Sequence, residues 1–198
     1  VVGLSLSPDT EPNLYDIFDL ENSLTSIIAD IKNKNTIENV ITQHKPDFIF
    51  HLAAQPLVRR SYQEPHLTFE TNIMGTVNLL EAVRKSELKS VVINVTSDKC
   101  YENNGFVSEF KETHPMGGYD PYSASKGASE IVTASYRNSF FNSEDYGFSH
   151  QVVLASARAG NVIGGGDWSK DRLIPDIIRS LVKNEGIIIR NPHSIRPW

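Results

Sequence analysis

Ser90-Val-Val-Ile-Asn-Val-Thr-Ser-Asp98 is an apolar run that ends in a hydroxyl and a carboxylate. The run predicts a strand over Val91–Val95 that is buried on both faces. It places Ser97 and Asp98 at the strand's carboxyl end, where open α/β sheets put their chemistry. Upstream, Asp47-Phe-Ile-Phe-His-Leu52 has the same near-continuous apolar pattern and predicts a second such strand. Between the two, Ile73, Val77 and Leu80 are spaced as the core stripe of a helix over 66–85. Further out, Val1–Ser5 reads as a strand already under way, 7–13 as loop, and Thr25–Ala29 as a short strand ending at Asp30. Ile37, Val40 and Ile41 predict an amphipathic helix over Thr36–His44, which Pro46 breaks. Downstream follow a helix over 121–141, a strand over Gln151–Ala157, a helix over 172–183 and a strand over Gly186–Arg190. Strands alternate with helices at intervals too long for hairpins. The expected fold is therefore α/β, a Rossmann-like, doubly wound parallel sheet.

Composition narrows the function. The 198 residues suffice for one domain with a real core, and the 39% hydrophobic and 22% charged content is that of an ordinary globular chain. A second domain is expected to begin after about residue 160, where glycine and charge increase. The net charge of -5, with no basic block, argues against nucleic acid as partner. The single cysteine, Cys100, excludes an intrachain disulfide and reads as a packing residue. The six histidines show no metal-ligand spacing, so no metal site is expected. No apolar run reaches about 18 residues, so no membrane span is expected. No signal peptide is visible, and the expected location is the cytoplasm.

The chemistry is concentrated in Asp120-Pro-Tyr-Ser-Ala-Ser-Lys126. Tyr122 and Lys126 lie four apart on the predicted helix, one turn from each other on one face. A free phenol, with a pKa of about 10, is a poor base at neutral pH, and a nearby ammonium favours its phenolate. Such a tyrosine can take a proton from a sugar hydroxyl while hydride leaves the same carbon, which points to a nicotinamide cofactor. The spacing alone is also what a solvated helix face would give. Pro121 suits a first helical turn, and the small residues Ser123, Ala124, Ser125, Gly127 and Ala128 permit close approach by a cofactor or another helix.

Other positions carry open alternatives. Ser97 could hydrogen-bond the oxygen that Tyr122 deprotonates, and Asp98 could donate to a leaving hydroxyl. Asp98 could equally be a cap, and Lys99 a solvated charge. Small residues in His51-Leu-Ala-Ala-Gln55 could let a flat cofactor lie against the backbone, or could simply pack a turn. Asp30 could accept from an adenine amino group with Ile31 beside the ring, or serve as a helix cap. The stretch Ala157-Arg-Ala-Gly-Asn-Val-Ile-Gly-Gly-Gly-Asp-Trp168 is a strand end followed by a glycine-rich loop, with no Gly-Lys-Ser/Thr of a P-loop. Arg172, Arg190 and Arg196 could clamp a pyrophosphate, with one of them expected to be a plain surface arginine.

With these runs in place, together with Glu70-Thr-Asn-Ile-Met-Gly-Thr76, Thr96-Ser-Asp-Lys-Cys-Tyr-Glu102 and Ile189-Arg-Asn-Pro-His-Ser-Ile-Arg-Pro-Trp198, the chain resembles the extended short-chain dehydrogenase/reductases. Among them it is most similar to the nucleotide-sugar 4,6-dehydratases. The resemblance implies NAD as cofactor and CDP-glucose as substrate. Tyr122, with Lys126 and Ser97, would oxidise C4; water would then leave across C5 and C6, with Asp98 as the acid, and the hydride would return to C6. Asp30 and Ile31 would meet adenine, and Leu52, Ala53, Ala54 and Gln55 would line the cofactor. Asn161, Arg172, Leu173, Arg190 and Arg196 would meet the nucleotide sugar. A homodimer paired through the helices at 66–85 and 121–141 is implied. The resemblance also divides the chain into an NAD-binding domain over 1–160 and the beginning of a smaller nucleotide-sugar domain over 161–198. Alternatives within reach are another nucleotide-sugar dehydratase, a 4-epimerase or a non-catalytic NAD-binding scaffold.

There are departures from the family pattern. Related dehydratases carry a glutamate, the C5 base, where this chain has Lys99; Lys99 is expected to act as a neutral amine base or to stabilise the enolate. The family's first strand and Gly-x-x-Gly-x-x-Gly turn do not precede Val1, so an internal piece of a longer protein is expected. Ser5 stands where many NAD enzymes place an acid for the ribose.

Overall fold

Parallel strand pairing organises the computed structural model, which describes residues 1–105 and 109–194. In chain order the elements are β1 (Val2–Ser5), α1 (Leu14–Ile17), α2 (Leu20–Ser23), β2 (Thr25–Ile28), α3 (Lys34–His44), β3 (Phe48–His51) and α4 (Val58–Gln63). They continue with α5 (Pro65–Phe69), a π-helical turn (Glu70–Met74), α6 (Gly75–Ser86), β4 (Ser90–Ser97), a 3-10 turn (Asp98–Cys100), α7 (Pro121–Ser139), a second 3-10 turn (Ser143–Asp145), β5 (Val152–Ala159) and α8 (Leu173–Val182). The chain forms two compact units, 1–28 with 160–198, and 29–159.

In the unit formed by 29–159, β3, β4 and β5 make a parallel sheet in that order, with Phe48 opposite Val91 and Ser90 opposite Val152. Helix α7 packs on β4 and β5, α6 packs on α7, and α3 packs on α6. This is the parallel sheet with flanking helices of a Rossmann-like fold. Of the expected stripes, Ile37 and Ile41 of α3 and Leu80 of α6 are buried, while Val40, Ile73 and Val77 are half-buried; Leu79, Ala82 and Val83 of α6, with Val92 and Leu154 of the sheet, complete the core. In the other unit β1 and β2 pair in parallel, Val2 opposite Thr25.

Three expectations are corrected. Strand β3 is not buried on both faces, since Phe48 and Phe50 are 65% and 60% exposed while His51 is buried. Side chains alternate along a strand, and α6 meets β3 at His51, which bonds Thr76. Second, the helix over 66–85 is interrupted by the π-helical turn at Glu70–Met74, a local widening that side-chain periodicity does not reveal. Third, Gly186–Arg190 forms no strand. Among the described residues no neighbouring strand supplies its backbone partners, and an apolar run without a partner gains no ladder.

Candidate active site

The expected pair is set by the start of α7. Asp120 caps the helix by accepting from the Ser123 backbone N–H at 3.0 Å and the Ser123 hydroxyl at 2.6 Å, and Pro121 occupies the first turn. Tyr122 and Lys126 then fall in successive turns, and both are buried. Two glycines let the segment before α7 lie against it. A Cβ on Gly127 would come within 2.4 Å of the Gly117 carbonyl oxygen. Gly118 has a φ of +142°, and a Cβ there would lie 2.2 Å from the Ala124 nitrogen.

Lys126 turns inward. Its Nζ donates to the Val95 carbonyl at 3.2 Å. Burial pushes its pKa down to about 8, against the opposing pull of Glu130 and Cys100. His51, at the end of β3, is pushed down to about 4 by burial and by the charge of Lys126. Its ring is therefore neutral at pH 7. The Thr76 hydroxyl donates its one hydrogen to the Asn72 carbonyl at 2.8 Å, so the His51 contact at 3.1 Å requires a hydrogen on Nε2.

Ser97 closes β4 and caps the 3-10 turn that carries Asp98 and Lys99. Its Oγ donates to Asp98 Oδ1 at 3.1 Å and accepts from the Lys99 backbone N–H at 3.2 Å. That turn packs against α7, so one unit holds Ser97, Asp98, Lys99, Tyr122 and Lys126 on adjoining elements. Asp98 and Lys99 are half-buried.

A buried polar network supports this end of the sheet. Asn72, in the π-helical turn, accepts from the Gln55 N–H at 2.8 Å and donates to the Gln55 carbonyl at 3.1 Å and to Ser125 Oγ at 2.8 Å. Asn94 donates to Ser129 at 3.0 Å and Thr133 at 2.8 Å, and Ser129 lies 3.0 Å from Thr76. Every member is bonded, which fixes the helices on the strands.

The expected cofactor residues differ in exposure. Leu52 is 68% exposed, and Ala53 and Ala54 are half-buried. Gln55 is buried, its side chain bonded to Leu57 and Thr68. Asp30 accepts from the Lys32 N–H at 2.9 Å. Ile31 is buried against Gly75, where an added Cβ would come within 2.7 Å of it.

The expected sugar-nucleotide residues belong to the unit of 1–28 and 160–198. Arg172 pairs with Asp167 at 2.9 Å, and Arg190 with Asp171 at 3.1 Å and Asp176 at 2.8 Å. Leu173 opens α8, and Asn161 is half-buried in the loop after β5. Arg196 lies outside the described residues. No group of three His, Cys, Asp or Glu suited to a metal occurs among the described residues, and none of their helices is long and apolar enough to cross a membrane.

Two residues at the site were not singled out from sequence. Glu130 stands four residues after Lys126, a spacing that already places it on the same helix face. Arg158 sits inside the quoted strand end and pairs with Glu130 at 3.0 Å.

Residues 8–147 match the protein family described as GDP-mannose 4,6 dehydratase. The chain is 54% identical over its whole length to the CDP-glucose 4,6-dehydratase of Salmonella typhimurium, and covers 55% of that protein. It is 34% identical to the CDP-paratose 2-epimerase of Salmonella typhi over 65% of the chain and 42% of the relative. Among solved structures, dTDP-glucose 4,6-dehydratase of Streptomyces venezuelae with NAD and TYD bound superposes with a TM-score of 0.76 at 24% identity, covering 93% of this chain and 53% of that one. This last likeness bears on the fold alone. The chain spans about half the length of the curated relatives it matches.

Proposed function

The chain belongs to the family described as GDP-mannose 4,6 dehydratase, and from that premise we propose that it takes part in the NAD-dependent dehydration of CDP-glucose to CDP-4-keto-6-deoxyglucose. The observation that carries the choice of substrate is the 54% identity, over all 198 residues, to a CDP-glucose 4,6-dehydratase. Tyr122 takes the proton of the C4 hydroxyl. Lys126, protonated below about pH 8, favours the phenolate that does so. Ser97 orients the same oxygen once its hydroxyl leaves Asp98. The 4-keto group acidifies the C5 hydrogen, and Lys99 either takes that proton as an amine base or stabilises the enolate while water takes it; a proton is given back to C5 when the hydride reaches C6. Asp98 protonates the departing C6 oxygen, which leaves as water.

NAD, when bound, supplies the hydride acceptor at C4 and the hydride donor at C6. Leu52, Ala53 and Ala54 would hold it along the segment after β3, with Gln55 fixed there through its bonds to Leu57 and Thr68. Asp30 and Ile31 are assigned to the adenine end. Asn161, Arg172, Leu173, Arg190 and Arg196 are assigned to the nucleotide sugar. In functional terms 1–160 serves NAD and 161–198 serves the nucleotide sugar. A cytoplasmic homodimer without nucleic acid as partner completes the reading. The net charge of -5 and the lack of a basic block speak only against nucleic acid.

The test is product analysis. The protein is incubated with NAD and, separately, with CDP-glucose, dTDP-glucose, UDP-glucose and GDP-mannose. Mass loss of one water from CDP-glucose alone supports the reading. Water loss from another sugar nucleotide moves the substrate, and no loss from any overturns the dehydratase assignment.

A further inference from the structure

Behind Lys126 lies a buried ion pair that the proposed reaction does not use. Glu130 is one helical turn further along α7, on the face that carries Lys126. Its side chain is 6% exposed. One carboxylate oxygen accepts from the Thr96 hydroxyl of β4, and the other accepts from Arg158 Nη2 of β5 at 3.0 Å. Arg158 does more than neutralise it. Nη1 donates to the Tyr101 hydroxyl at 2.9 Å and to the Glu112 carbonyl at 3.1 Å. The guanidinium lies 4.9 Å from the Tyr101 ring centroid, and Phe110 stacks on the same ring at 4.7 Å. Through Arg158, therefore, the segment that follows the Asp98–Cys100 turn is tied to the helix of Lys126.

We propose that Glu130 is a positioning residue for Lys126, a fixed buried carboxylate that keeps the lysine in its charged form, with Arg158 and Thr96 holding that carboxylate ionised and in place.

The electrostatics agree with the geometry. Burial alone would raise Glu130, but its hydrogen bonds from Arg158 and Thr96 outweigh burial and keep it below the usual carboxylate range. The titratable and charged groups around Lys126 include Tyr122 and Glu130, one turn to either side on its own helix, Cys100 on the 3-10 turn and His51 at the end of β3. Cys100 is pushed up to about 11 by burial and His51 down to about 4, so both are neutral at pH 7. That leaves Glu130 as the carboxylate among them. Removing it leaves the desolvated ammonium without its counter-charge.

The role given to Lys126 rests on the proposed reaction, but the test does not. The Lys126 titration is followed by NMR in the full protein with isotope-labelled lysine, its signal assigned with Lys126→Arg and no substrate added. Glu130→Gln is expected to lower the Lys126 midpoint by about one pH unit or more. Arg158→Lys loses the forked contacts to Tyr101 and the Glu112 carbonyl but leaves a cation that keeps the carboxylate ionised, and is expected not to lower it. An unmoved midpoint in Glu130→Gln overturns the proposal, as does an equal fall in both variants, which would mark a purely structural effect. Should Glu130→Gln not fold, the double variant Glu130→Gln/Arg158→Met leaves no unpaired buried charge. It is then expected to show the same fall, and an unmoved midpoint there overturns the proposal. A confirmed fall in a protein that dehydrates no sugar nucleotide would sink the proposed reaction and leave this inference standing.

Discussion

The ammonium of Lys126 donates to the carbonyl of Val95, two residues before Ser97. This one bond fixes the lysine of α7 to the strand that delivers Ser97 and Asp98. It predicts that charge alone is not sufficient at position 126. Lys126→Met should reduce turnover by about 10²–10⁴. Lys126→Arg should retain only a fraction of the activity, and should lose the alkaline limb near pH 8 that deprotonation of Lys126 imposes, because a guanidinium stays charged throughout. A pH-rate profile of the three proteins checks this; an unchanged limb in Lys126→Arg would count against Lys126.

Asp98 and Ser97 share a hydrogen bond of 3.1 Å, so the acid and the orienting hydroxyl are coupled before substrate arrives. Asp98→Asn should slow water loss by about 10²–10⁴ while leaving C4 oxidation largely intact. The reduced nicotinamide should then accumulate, visible by its near-ultraviolet absorbance. Water loss at the wild-type rate would remove Asp98 from the mechanism.

His51 makes acid stability testable. Its pKa is about 4 in the fold and 6.5 as the free side chain. Between these values the unfolded chain binds more protons, so stability is full above about pH 6.5 and falls as the pH drops toward 4. The loss across that window should be about 3 kcal/mol. Denaturant unfolding at several pH values measures it, and His51→Gln should flatten the dependence.

The contact between Gly127 and Gly117 leaves no room for a methyl group. In Gly127→Ala the new carbon would meet the carbonyl oxygens of Gly117 at 2.4 Å and Cys100 at 3.2 Å, both backbone. A destabilisation of about 1–3 kcal/mol is expected. A variant with wild-type denaturation midpoint would show that the segment moves aside freely.

What was legible in the sequence was whatever repeats locally. The apolar runs at Val91–Val95 and Phe48–His51, the Ile37/Ile41 stripe and the Pro121 start of α7 all gave elements within a few residues of those observed. Pairings across long separations were not legible. His51 meets Thr76 twenty-five residues away, and Arg158 meets Glu130 twenty-eight away; neither spacing has a periodic signature. Gln55 was expected at the cofactor, yet its side chain closes its own turn through Leu57 and Thr68. Phe48 and Phe50 show the limit of composition. An apolar strand announces that it can be buried on two faces, and only the tertiary arrangement decides whether it is.

The most direct test of the account is isotopic. CDP-glucose carrying deuterium at C4 is turned over with NAD, and the product is read by NMR. The account predicts loss of one water with the deuterium moved to C6. Deuterium remaining at C4 in an unchanged-mass product would contradict it and point to an epimerase.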